Sequence, residues 1–180
     1  EFRRVLFRSI HNVQFNGLVT AWMILAFVFV ENEKEQCATF FIILGALTKV
    51  FGITGLTFFL FSKNKKRFIL WSLIWSIILI CLPMLFSNLK FIIDIYPEWI
   101  NNMIYKNSGN VNMGGGGMQD ICLGGIMRRV LGHKNFNDVF VIIPFLFLFG
   151  LPLLKKSNYL NKNFRYTYLA LTLISVVLLN

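Results

Sequence analysis

The sequence predicts an all-α fold: a polytopic membrane helix bundle of about five spans, with a long outer loop that contains an interfacial helix. Three observations lead there. Apolar residues make up 56% of the 180 residues, twenty of them Phe, and mean hydropathy is +0.64. Charged residues are 14%, against the roughly one quarter that a soluble domain uses to cover its surface. The apolar residues are gathered into runs long enough to cross or nearly cross a bilayer, and the runs do not alternate as barrel strands do. Lipid offers no partner to an unpaired backbone group, so helix is the forced conformation of such runs.

Residues 1–9 stand apart. They read codon for codon as the in-frame translation of a common sequencing-library adapter, which marks them as an assembly scar rather than a basic targeting arm. Without Arg3, Arg4, Arg8 and Glu1 the net charge falls from +10 to +8. Residues 10–86 hold three expected spans, at 17–30, 38–62 and 68–86. Residues 87–138 form the expected extracytoplasmic loop. Residues 139–180 hold two more spans, at 139–154, where membrane helices tolerate Pro144 and Pro152, and at 167–179. The last run is shorter than the ~20 residues a span needs, so the chain is expected to be an internal fragment of a longer protein.

Basic residues set the expected topology. Lys63, Lys65, Lys66 and Arg67 fill one short loop and Lys155, Lys156, Lys162 and Arg165 another, both without an acid. The loop after the first run holds Glu31, Glu33 and Glu35 against Lys34. With alternating spans both basic loops face the cytoplasm, and the acidic loop and residues 87–138 face outward. Gln14 and Asn16 then fall near the cytoplasmic end. In the outer segment Phe91, Ile92, Ile95, Tyr96, Trp99 and Ile100 recur at helical spacing with Asp94 and Glu98 off the stripe, which predicts a short helix at headgroup depth. Residues 107–117 are polar and glycine-rich. Gly114 to Gly117 is not a phosphate-binding loop, because the following Lys-Ser/Thr and a flanking strand are missing.

Few residues could carry chemistry. Lys49 stands in the middle of the second run, where an unpaired charge costs several kcal/mol. It is either a functional cation or a side chain that snorkels along a tilted or broken helix eased by Gly45, Gly52 and Gly55. Gln14 and Asn16 read as interfacial polar residues or a helix cap. Arg128 and Arg129 suit phosphate oxygens or an interfacial anchor. Asp120 is a candidate acid or metal ligand, though a lone exposed carboxylate is usually neither. Cys37, Cys81, Cys122, His11 and His133 show no ligand spacing, so no metal-ligand residues are assigned and no cofactor is expected, with metal dependence left open. No nucleophile–base pair and no nucleotide fingerprint appears, and nucleic acid is not an expected partner.

In their order these features resemble glycosyltransferase family 87. Val13, Gln14, Phe15 and Asn16 before an apolar run are similar to its Gly-Gln-x-Asn signature, with Val13 in place of the usual Gly. A charged loop over 31–36, an apolar stretch over 38–47 and the embedded Lys49 follow as in the family. Next come a further apolar stretch, the basic loop and a span ending near Pro83. Residues 118–129 resemble a family stretch rich in Gly, Met and Arg, while Gly52 and Ile53 stand where many members carry Pro. The resemblance implies a C-type hexosyltransferase of the bacterial inner membrane. Such an enzyme moves a sugar, typically mannose, from a polyprenyl-phosphate donor to a lipid or glycan acceptor outside. It implies Lys49 and Arg128 or Arg129 on the donor phosphate and Gln14 and Asn16 on sugar hydroxyls or at a helix start. It also places the catalytic carboxylate upstream of these residues. Two alternatives stand beside it: a transporter or flippase for lipid-linked sugars, which should show a hydropathy repeat, and a non-catalytic membrane subunit.

Overall fold

The computed structural model describes residues 16–111, 123, 124, 127, 136, 137 and 139–178. Every regular element among them is helical. Helix α1 is Asn16–Glu31 and α2 is Glu35–Thr48, followed by a 3-10 arm, Val50–Leu60. Helix α3, Lys65–Cys81, is prolonged by a 3-10 turn, Leu82–Leu85. Then come α4, Leu89–Val111, and α5, Val139–Gly150, which continues as the 3-10 turn Leu151–Leu154. A further 3-10 turn, Lys156–Leu160, leads into α6, Lys162–Leu178. The chain divides into two compact units, Glu1–Ile77 with Lys155–Val177 and Ile78–Leu154 with Leu178–Asn180.

The all-helical expectation holds, and the first, third and fourth apolar runs are helices close to their expected bounds. Among the described residues one helix, Lys65–Leu85, is long and apolar enough to cross a membrane, with 21 residues at a mean hydropathy of 2.4. Asn16–Glu31, Glu35–Thr48, Val50–Leu60 and Val139–Leu154 are apolar but shorter.

The second run departs from expectation. It is a helical hairpin, not one straight span. Helix α2 stops at Thr48, Lys49 is extended (φ −143°, ψ 127°), and the 3-10 arm returns alongside α2. Side chains and backbones meet in antiparallel order: Gly45 against Gly52, Ile42 against Gly55, and Glu35 Oε1 accepting from Ser62 Oγ at 3.1 Å. The two arms match in length. Fourteen residues of α-helix at about 1.5 Å each rise about 21 Å, and eleven of 3-10 helix at about 2.0 Å each rise about 22 Å.

This fold-back moves a loop. The acidic loop does not lie opposite the basic loops but at the same end of its unit, because the hairpin returns the chain to its starting side. Lys63 Nζ pairs with Glu33 at 2.5 Å and Arg165 Nη2 with Glu31 at 2.6 Å. Arg165 also donates to the Phe61 carbonyl at 3.1 Å and lies over the Phe61 ring at 5.5 Å, so one side chain ties α1, the 3-10 arm and α6 together. The turn that aims the acids is a Schellman closure. Lys34 N–H bonds Phe29 O at 2.8 Å, Glu33 N–H bonds Val30 O at 3.1 Å, and Glu33 takes the left-handed conformation at φ 59°. A glycine would be the ordinary choice there, and a side chain costs about 1 kcal/mol.

The helices are apolar on both their inward and outward faces. In α1, Val19, Met23, Ala26, Phe27 and Val30 are buried, while Leu18, Ile24, Leu25 and Val28 on the other side are exposed. In α6, Tyr168, Thr172 and Ser175 face inward. Helix α3 exposes Ile69, Leu70, Leu73 and Ile77 at 50–64%, and in the second unit α5 exposes Phe140, Ile143, Leu146 and Phe147. Water penalises such outward faces and lipid does not.

Helix α4 is longer than the short interfacial helix expected from the aromatic stripe. Asn88 Oδ1 caps it by accepting from Phe91 N–H at 2.9 Å, Pro97 lies within it, and it runs on through Val111 into the polar, glycine-rich stretch. Tyr96 donates its hydroxyl to Ile80 O at 2.7 Å.

The Arg165–Glu31 pair yields a test. Its side chains are 15% and 23% exposed. Among the described residues, Glu31 Oε1 and Arg165 Nε make no aligned hydrogen bond, so charge holds the pair. Arg165→Met should lower stability by about 2 kcal/mol, less than the ~3–5 of a fully buried broken pair. Adding Glu31→Gln should recover most of that loss, as read from thermal unfolding in detergent; equal losses in the single and double variants would deny the coupling.

Candidate functional site

The candidate site is the hairpin tip. Lys49 N–H bonds Gly45 O at 2.8 Å and closes α2, while Lys49 O accepts from Gly52 N–H at 2.8 Å and opens the 3-10 arm. The residue is thus fixed on both sides by backbone bonds, and its side chain, half-buried, leaves from the turn itself. Lys49 Nζ donates to Asn16 Oδ1, at the start of the described part of α1. Residues 33 apart in sequence therefore meet because α1 and α2 are antiparallel.

Glycines make the tip possible. A Cβ on Gly52 would stand 2.4 Å from the carbonyl carbon of Gly45 and 2.6 Å from Ala46 N, so the two backbones touch where no side chain fits. Gly45 and Gly55 serve a second purpose. Their missing side chains make room for the buried Met23, whose Cε lies 2.8 Å from the Cβ position of Gly45 and whose Sδ lies 2.6 Å from that of Gly55. The chain does break its helix at Lys49, as one of the two readings from sequence supposed.

Charge is segregated along this unit. Glu31, Glu33, Glu35, Ser62, Lys63 and Arg165 occupy the base, and Lys49 with Asn16 the tip, about 21 Å away by helix rise. An ammonium held at an apolar tip is suited to an anion, above all to phosphate oxygens, for which it is a compact point charge with three donors.

Of the residues singled out in the sequence, the structure brings together Lys49 and Asn16. Gln14, Asp120, Arg128 and Arg129 lie outside the described residues. The reading from sequence placed Asn16 at the end away from an outer site; the hairpin puts it beside Lys49. One signal was there to find: Gly45 and Gly52 are spaced symmetrically about the Thr48–Lys49 bond, as two arms of a close hairpin require.

Fold and site define a helical chain with apolar outward faces and a cation presented at a hairpin tip. The chain belongs to glycosyltransferase family 87, whose profile matches residues 5–179. It is accordingly a chain of a membrane glycosyltransferase, a class that works on a sugar donor and an acceptor. Searches of curated proteins and of solved structures each find no match.

Gly52→Ala and Gly45→Ala should separate cleanly. At Gly52 the added methyl meets backbone, so the hairpin has to open, with a loss of about 3 kcal/mol or more. At Gly45 it meets the flexible end of Met23, and the loss should stay near ~1 kcal/mol. Thermal unfolding of both variants checks this, and equal losses would mean the two backbones are not in contact.

Proposed function

We propose that the full-length protein transfers a hexose, mannose by family resemblance, from a polyprenyl-phosphate donor to a lipid or glycan acceptor on the outer side of the bacterial inner membrane. Lys49 neutralises the donor phosphate. The observation that carries this reading is the Lys49 ammonium, fixed by Asn16 at the apolar tip of a hairpin whose base holds the charged loops.

The hairpin supports the placement. In a straight span Lys49 would sit near the bilayer centre, where it costs at least about 2.5–3.5 kcal/mol. With the basic loops at the cytoplasmic face, the base is cytoplasmic and the tip rises about 21 Å into a hydrocarbon core of about 30 Å. The remaining distance is about one lysine side chain, so the ammonium reaches the outer leaflet boundary. The acidic loop at the cytoplasmic end does not conflict with this orientation, since acids contribute little to the bias.

In the reaction the acceptor hydroxyl attacks the anomeric carbon and gives its proton to a carboxylate, which the resemblance places upstream of Ile10. The bond from the anomeric carbon to the phosphate oxygen breaks, and its electron pair leaves with the phosphate. Negative charge therefore grows on the phosphate in the transition state, where a prepositioned ammonium stabilises it more than in the ground state. Arg128 or Arg129 supplies a second cation to the phosphate, and Gln14 and Asp120 are further polar contacts.

Full-length protein in lipid should transfer label from polyprenyl-phosphate hexose and not from a nucleotide hexose. Lys49→Met should reduce that transfer about 10- to 100-fold, the worth of one charge-assisted hydrogen bond. Transfer from the nucleotide donor alone, or full transfer by Lys49→Met, would contradict this function.

A further inference from the structure

We propose that the outward face of α3 is a docking site for an anionic glycerophospholipid, with Lys66 and Arg67 on its phosphate and Leu70, Leu73 and Ile77 along one acyl chain. The site is independent of the role of Lys49. Two faces of α3 differ. Phe68 and Trp75, seven residues apart, turn toward the hairpin. The Phe68 ring meets Phe59 at 5.8 Å, and Trp75 Nε1 donates to Gln36 O at 3.0 Å while its ring packs on Phe40 at 4.9 Å. Leu70, Leu73 and Ile77 recur at helical spacing on the opposite face and are exposed by more than half. Lys66 lies four residues before Leu70 on that same face, and Arg67 borders it. Asn64 fixes this register: its Oδ1 accepts from Arg67 N–H at 3.2 Å and its carbonyl from Phe68 N–H at 3.0 Å.

The cations at the base differ in what they already hold. Lys63 pairs with Glu33 and Arg165 with Glu31. Lys65 donates to the Leu60 and Ser62 carbonyls, at 3.4 Å each, and covers the Phe59 ring at 5.6 Å. Lys66 and Arg67 are exposed, and among the described residues no ion pair joins either of them to an acid. Two cations without an internal anion therefore head an apolar stripe, and a molecule with an anionic end and a hydrocarbon tail complements both halves. The guanidinium offers phosphate oxygens a bidentate fork and the ammonium a compact point charge. From Lys66 to Ile77 the helix rises about 16 Å, close to half of a hydrocarbon core of about 30 Å, so the stripe is one leaflet deep. A zwitterionic headgroup would bring its own ammonium against the two cations, whereas a net negative one is attracted to them.

The test reconstitutes full-length protein in vesicles of phosphatidylglycerol and phosphatidylethanolamine in equal amounts. After extraction in mild detergent the retained lipid is measured by mass spectrometry, and a photoreactive amino acid in place of Leu73 reports what lies on the stripe. The unaltered protein should retain phosphatidylglycerol in excess. Lys66→Gln and Arg67→Gln should each lower that excess about fivefold, and the double variant about thirtyfold, the worth of one and two cations near a membrane surface. Lys66→Arg, which keeps the charge, should preserve it. Lys156→Gln, which removes an exposed cation from the other basic loop, should leave it unchanged. Light should join residue 73 to phosphatidylglycerol, and the double variant should lose that product. An undiminished excess in the double variant overturns the site, and so does an equal fall with Lys156→Gln, which would mean attraction by surface charge at large. Crosslinking of residue 73 to protein would show another part of the chain covering the stripe. Displacement of phosphatidylglycerol by equimolar polyprenyl monophosphate would make this a site for the donor lipid. Either of these two results also overturns the proposal.

Discussion

The backbone of Gly52 lies against that of Gly45, and the rest of the larger unit depends on that contact. A side chain on Gly52 would occupy the same space as the Gly45 carbonyl carbon, so the approach exists only between glycines or something equally small. The contact turns one apolar run into two arms of nearly equal rise. It brings Ser62 back to Glu35 and Lys63 back to Glu33, and it carries Lys49 to the far end. Met23 then fills the room that Gly45 and Gly55 leave, which packs α1 against both arms at once. A close approach of this kind gains dispersion contacts along the whole arm, which matters in an environment where apolar burial alone gives helices little reason to associate.

Two ends of different character follow. At the base, opposite charges meet: Arg165 answers Glu31 and Lys63 answers Glu33, and the Arg165 guanidinium is further satisfied by the Phe61 carbonyl and ring. At the tip the Lys49 ammonium donates to the Asn16 amide oxygen. The base holds the fold, and the tip presents a cation at the far end of the unit from it. Membership of glycosyltransferase family 87 supplies the class of reaction, and the hairpin supplies a physical reason for Lys49 to lie deep in an apolar run.

Much of the fold was legible from composition and run length. The helices at 16–31, 65–85 and 139–154 are where uniform apolar runs place them, because such runs have no other way to satisfy their backbone. The hairpin was not legible by the usual rule. Small residues that let helices pack closely recur at four-residue spacing along one helix, whereas Gly45 and Gly52 face each other across a turn. Nor did residue 33 advertise a helix stop, since a glutamate takes the left-handed position that glycine normally marks. Lys49 was recognisable from its cost in lipid, but its partner was not. Alternating spans put Asn16 on the side away from an outer site; the antiparallel pairing of α1 with α2 sets it beside Lys49, and the fold-back puts both at the end opposite the charged loops.

The central claim is that residues 38–62 enter and leave on one side. It is tested most directly by single cysteines at Gln36 and Lys63 in full-length protein otherwise free of cysteine, labelled in sealed vesicles of known orientation with an impermeant maleimide. Both positions are exposed, one at the start of each arm's base. The hairpin predicts that both react from the same face of the membrane. Reaction of Gln36→Cys from one face and Lys63→Cys from the other would show a straight span and contradict the account.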